Sequence, residues 1–174
     1  MTAPHESQLI PTNCKVELSD IEKYSIDKLL QHTPYPSGIT IDALKIMQKH
    51  RGWISDGCID ALAQYTNIPH SDIDSVATFY NLIFRSPVGN TILHPCNGIS
   101  CEIMGSKSIQ QCISRTLHIQ PGETTADHRV TLIPLPCLGA CDKAPVMLVN
   151  QHLYEQLDDQ ATVQILNELE GHKS

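Results

Sequence analysis

Four cysteines stand in two tight pairs, Cys96-Asn-Gly-Ile-Ser-Cys101 and Cys137-Leu-Gly-Ala-Cys141, with 35 residues between the pairs. The chain holds seven cysteines, an odd number that internal disulfides cannot exhaust. The opening MTAPHESQLI has no basic segment and no apolar run, so the expectation is no secretory leader and a reducing cytosol. Clustered thiols in that setting are metal ligands or redox groups more often than disulfides. Four thiolates suit zinc or an iron–sulfur cluster. Structural zinc often takes cysteines two apart, although wider spacings occur. The wide spacings here fit a [2Fe-2S] centre, one pair to each iron. Spacing alone leaves open a zinc site, or buried thiols packing as small apolar groups. A Rieske centre needs two histidines among its ligands, and no histidine lies within either pair.

The remaining candidates are weaker. Cys14 falls in a loose N-terminal arm and reads as a free surface thiol. Cys58 near a helix start and Cys112 on an apolar helix face read as packing residues. His94, two residues before Cys96, is either a strand-end residue or a contact around the centre. Trp53 and Phe79-Tyr80 read as core of the helical half, with a subunit contact as the other reading. The acidic run 155–159 reads as a solvated turn and helix start. A thiol–disulfide oxidoreductase is poorly supported, because the chain lacks C-x-x-C. No dinucleotide fingerprint and no phosphate loop occurs.

The elements around the pairs follow from periodicity. Residues 91–95 read as a strand running into Cys96. Residues 129–135 alternate as a buried strand running into Cys137. If these strands are neighbours, they deliver both cysteine loops to one sheet edge. Pro95 and Pro136 mark the strand ends, and Gly98 and Gly139 allow tight turns. A helix over 106–117, a strand over 146–149 and a helix over 158–169 complete a β-α-β-β-α order. Before it, 20–84 is helical in period. The pattern predicts a first helix with Ile21, Tyr24 and Ile26 in its apolar spacing, and a turn at 35–38. A second helix should stop at Gly52 and a third should be capped by Ser55. A fourth should start from Ser71 and Asp74, with Tyr80 and Ile83 on its apolar side. The fold class expected is α+β: a flexible arm over 1–19, a helical domain over 20–88 and an α/β domain over 89–174.

Composition sets limits. The chain has 174 residues, 41% of them hydrophobic and 18% charged, an ordinary globular balance. Its net charge of −7 argues against nucleic acid and anionic membranes as partners. The longest nearly uncharged apolar stretch, 132–140, contains two prolines and is far too short to span a bilayer.

The string Cys137-Leu-Gly-Ala-Cys141-Asp-Lys-Ala-Pro145 resembles the signature of the thioredoxin-like [2Fe-2S] subunit of respiratory complex I, the E subunit of bacterial NADH–quinone oxidoreductase. The pair at 96–101 matches in spacing and position. Residues 122–132, Tyr35-Pro36, Arg51-Gly52-Trp53 and Val76-Ala-Thr-Phe-Tyr80 are similar too, so the resemblance covers roughly 20–170. It implies Cys96, Cys101, Cys137 and Cys141 as ligands of a [2Fe-2S] cluster on a thioredoxin-like fold from about residue 89. It also implies an electron-carrying subunit without a complete active site of its own. FMN and NADH are then expected on a partner subunit, beside a further iron–sulfur subunit, in a peripheral arm on the cytoplasmic side of the inner membrane. The same subunit type serves NAD-linked hydrogenases and formate dehydrogenases, which is the alternative parent. A zinc-stabilised interaction module is the alternative of another class. Two departures stand out. Ser37-Gly38-Ile39-Thr40 replaces the segment after Tyr-Pro where the family often has Arg, and Asn-Gly-Ile-Ser is not the commonest first loop. Lys143 and Lys107 are the candidate charges that would ease reduction of such a centre.

Overall fold

The computed structural model describes residues 16–171. The chain divides into two compact units, 1–87 and 88–174. Cys14 lies outside the described residues.

The first unit is helical: α1 Asp20–His32, a short 3-10 turn Pro36–Ile39, α2 Thr40–Arg51, α3 Asp56–Thr66 and α4 His70–Phe79. Sequence sets each boundary. Ser19 and Glu22 form a reciprocal capping box at the start of α1. Gly52 ends α2 at φ 83°, and the Ser55 hydroxyl accepts from the Cys58 amide to start α3. Asn67, in the left-handed region, closes α3. Ile26, Leu44, Met47, Ile59, Leu62 and Ile73 fill the interior.

Three expectations are corrected here. On α1, Ile21 and Tyr24 are exposed and the inward positions belong to Glu22 and Ile26. Glu22 keeps that place through Arg51, whose Nε and Nη2 donate to its carboxylate at 2.7 and 2.6 Å. α4 starts at His70 after Pro69, with no side-chain cap, because proline already presets the helical entry. The Ser71 hydroxyl turns to Asp72 instead. That helix stops at Phe79, so Tyr80 and Ile83 belong to a following turn. Gln48 holds this turn with its side-chain amide, donating to the Leu82 carbonyl and accepting from the Phe84 amide. Finally, the interior is filled by aliphatic side chains. Trp53 is only half-buried, and Phe79 is 77% exposed and stacks edge-on against exposed Tyr80.

The second unit runs β1 Thr91–Pro95, α5 Ile99–Ile103, α6 Ser106–Leu117, β2 Val130–Leu132, β3 Met147–Val149, β4 His152–Tyr154 and α7 Asp159–Gly171. The sheet order is β2-β1-β3-β4. β1 and β2 are parallel, Leu93 facing Leu132, and β3 returns antiparallel to β1 with Leu93 facing Val149. Leu93, Ile109, Ile113, Leu132, Met147 and Leu166 form the core beneath α6 and α7. The order is therefore β-α-α-β-β-β-α, with α5 and β4 added to the expected elements. Both are short, and neither is long enough to show a period. The strand expected over 129–135 is regular only over Val130–Leu132, because Pro134 has no amide to donate. Pairing with β1 nonetheless continues, through the Ile133 and Leu135 amides to the carbonyls of Leu93 and Pro95.

Candidate metal centre

The parallel pairing of β1 and β2 sends both cysteine loops off the same end of the sheet. Cys96 leaves β1 with its amide bonded to the Val146 carbonyl, and it pairs with Leu135 on the extension of β2. The chain then turns at Gly98 into α5, where Ile99 and Ile103 stay exposed and Cys101 between them turns inward. Cys96 and Cys101 are each 2% exposed and pack with Val146. Cys137 and Cys141 bracket an irregular loop in which Gly139 takes φ 83°. These two thiols are exposed, with their sulfurs 3.5 Å apart.

The loops touch. A Cβ at Gly98 would lie 3.1 Å from the Cys137 nitrogen and 3.2 Å from its Cα. The Ser100 hydroxyl on α5 bonds to the Cys141 sulfur. Burial pushes the Cys101 thiol up, with Cys96 and Cys141 adding to the rise, while the Gly139 amide and Cys141 pull Cys137 down. Cys141 is raised by Cys137 and, more weakly, by Cys96. Cys101 and Cys141 are thus each raised by neighbouring thiols, and a cation placed among them would relieve that repulsion.

The described residues hold no group of three or more His, Cys, Asp or Glu gathered as ligands of a single ion. The cysteines meet as two pairs. The 3.5 Å separation of the Cys137 and Cys141 sulfurs lies within a few tenths of a thiolate tetrahedron's edge, about 3.8 Å for metal–sulfur bonds of about 2.3 Å. Such a donor set, all sulfur and split into pairs, fits a binuclear iron–sulfur core.

Neighbouring candidates fall out as follows. His94 is a buried residue of β1, its Nδ1 2.7 Å from the Ile133 carbonyl, and burial lowers its pKa. Lys143 is exposed and paired with Glu155 at 2.7 Å, so its charge is shared with a carboxylate. Cys58 and Cys112 are buried, as packing residues should be. Sequence reasoning missed Ile99, Ile103 and Met104, which stand exposed on and beside α5, next to the first cysteine loop. The apolar pair at a spacing of four inside the sequence 99–103 was the available signal.

Gly98 supplies a prediction. Its Cβ contact would be with backbone, which cannot swing aside. Gly98→Ala is expected to push the Cys137 backbone away by a few tenths of an ångström. Iron content after reconstitution should fall severalfold while far-ultraviolet circular dichroism stays unchanged; full iron content would contradict the contact.

The sequence profile described as thioredoxin-like [2Fe-2S] ferredoxin matches residues 26–170. The E subunit of NADH-quinone oxidoreductase from Escherichia coli is 43% identical over 162 residues, covering 93% of this chain and 97% of that protein. Its counterpart from Pseudomonas aeruginosa is 42% identical over 161 residues, covering 92% and 96%. Among solved structures, a chain of an NAD+-reducing [NiFe]-hydrogenase in the air-oxidized state superposes with a TM-score of 0.66 at 22% identity. That match covers 78% of this chain and 23% of the other, and shows a shared fold. With sheet-tip cysteine pairs, a profile match over most of its length and relatives aligned nearly end to end, the chain belongs to the thioredoxin-like [2Fe-2S] ferredoxin family.

Proposed function

We propose that this chain is the electron-carrying [2Fe-2S] subunit of an NADH-quinone oxidoreductase, exchanging one electron with the flavin of a partner subunit. Cys96, Cys101, Cys137 and Cys141 hold the cluster. The observation that carries this reading is the convergence of two thiol pairs from adjacent parallel strands, one pair buried and one at the surface. When bound, the cluster supplies a one-electron couple.

The chain's own residues do the rest. Val146, Leu138 and Ala144 wall the Cys96 and Cys101 side from water. Gly139 and Ser100 aim hydrogen-bond donors at Cys137 and Cys141, and such bonds tune a cluster's potential. Exposed Ile99, Ile103 and Met104 give a partner an apolar seat beside the exposed thiols. The helical unit and the cluster unit serve as separate domains, with the exposed Phe79 and Tyr80 available for subunit contacts.

The parent complex proposed is the quinone-linked one, because 43% identity to the Escherichia coli E subunit exceeds 22% to the hydrogenase chain. The flavin- and NADH-binding subunit and a further iron–sulfur subunit are its neighbours in a peripheral arm on the cytoplasmic side. No helix among the described residues is long and apolar enough to cross a membrane.

Anaerobically isolated protein tests the reading. It should be red-brown, contain equal iron and acid-labile sulfide, and give an electron-spin signal on reduction. A colourless chain holding zinc would overturn it. The docking seat has its own test. Ile103→Ser with Ile99→Ser should leave colour intact and cut co-purification of a flavoprotein by roughly tenfold, as hot-spot truncations do. Undiminished co-purification would remove α5 from the interface.

A further inference from the structure

The two thiol pairs differ in what can reach them. Cys96 and Cys101 sit behind Val146 at 2% exposure each. Cys137 and Cys141 are exposed, with sulfurs 3.5 Å apart. A disulfide needs about 2.05 Å between sulfurs, so each sulfur has less than about 1 Å to travel. The ideal Cβ position of Gly139, midway along the loop between the two cysteines, meets no atom within 4 Å. The loop is irregular backbone, outside the sheet ladder that fixes Cys96.

We propose that in the metal-free chain Cys137 and Cys141 form a redox-sensitive dithiol that low-molecular-weight disulfides close, locking two of the four ligand positions. This deepens the functional reading and rests on it, since closure matters because these sulfurs are ligands. The chemistry balances with a glutathione-type disulfide as oxidant. One cysteine sulfur attacks the glutathione disulfide, whose S–S bond breaks and releases one glutathione. The second cysteine sulfur attacks the mixed disulfide and releases the other. The two cysteines lose two protons and two electrons; one oxidised glutathione becomes two reduced ones. A dithiol reductant reverses the step. Closure would hold the apo chain against metal uptake in oxidising conditions and spare these two exposed thiols overoxidation.

The experiment uses the full-length chain, freed of metal by chelation, carrying Cys14→Ser to remove the N-terminal thiol. Incubation with oxidised glutathione should lower the mass by about 2 Da. Peptide mapping should find a Cys137–Cys141 link, with Cys96, Cys101 and Cys112 alkylated only after unfolding. Iron and sulfide uptake should drop to background and return after dithiothreitol. Cys141→Ser should instead retain one glutathione on Cys137. Links involving Cys96 or Cys101, or stable adducts on both Cys137 and Cys141, would overturn the proposal. A reduced control run in parallel separates the two readings. If it takes up no iron, the ligand assignment fails, while mass and mapping still decide whether the dithiol closes.

Discussion

If Cys96, Cys101, Cys137 and Cys141 hold the cluster as proposed, Cys101→Ser and Cys137→Ser should each bleach the protein, with iron and acid-labile sulfide falling to background. A serine hydroxyl is a poor ligand for an iron core that is held by thiolates. The two variants differ in kind. Cys101 is buried against Val146, so its replacement also leaves a hydroxyl among apolar neighbours, a cost of about 1–3 kcal/mol if it is unsatisfied. Cys137 is exposed, so its variant loses only the metal's contribution to folding. Both should melt below the parent, Cys101→Ser lower than Cys137→Ser. Cys112→Ser, buried on α6 with its sulfur facing the Asp159 carbonyl, should keep its colour. Absorbance, iron analysis and thermal melts of the four proteins check the whole pattern. A colourless Cys112→Ser beside a coloured Cys137→Ser would mean that the wrong sulfurs have been assigned.

Arg51→Met is the second large effect, in the helical unit. Glu22 has a 1% exposed side chain and is held by two guanidinium bonds, with Ser19 closing its remaining side. The Arg51 guanidinium lowers the Glu22 pKa from 4.5 to about 2 against the opposing pull of burial. That difference is worth about 3 kcal/mol of preference for the charged form. Removing the arginine strands a buried carboxylate and should cost about 3–5 kcal/mol at neutral pH, roughly 10 °C in the melting temperature. The sign of the pH dependence follows from linkage. A depressed folded-state pKa contributes stability that is complete above about 4.5 and is lost as pH falls toward about 2. The parent should lose stability across that window. In Arg51→Met the loss should be flattened or reversed, because the stranded carboxyl gains from protonation. Melts between pH 2 and pH 7 decide it; parallel curves for the two proteins would show that the pair contributes nothing.

Much of this molecule is legible in its residue order. Ser55, Gly52 and Asn67 mark helix ends because their side chains or backbone freedom act locally. The two loops declare themselves because the cysteine spacing and the strands ahead of them are local too. What escaped the sequence depends on distant partners. Glu22 is buried only because Arg51, 29 residues away, neutralises it; the apolar period of α1 alone points to Ile21 and Tyr24. β4 is three residues long and exists because β3 offers it a ladder. α5 is five residues long, fixed by the turn at Gly98 and by the need to bring Cys101 beneath the second loop. The exposure of Phe79 and Tyr80 has the same origin. Their apolar character fitted an interior place, but isoleucine, leucine and methionine had already filled it.

The apolar interior around Leu93, Ile113 and Leu166 forms one group of residues and the tip around Cys96, Cys101 and Val146 another. The separation lets construction proceed in stages. The core beneath α6 and α7 is then expected to pack before any iron reaches the tip. A cell starved of iron would then accumulate a folded, waiting polypeptide rather than a collapsed one.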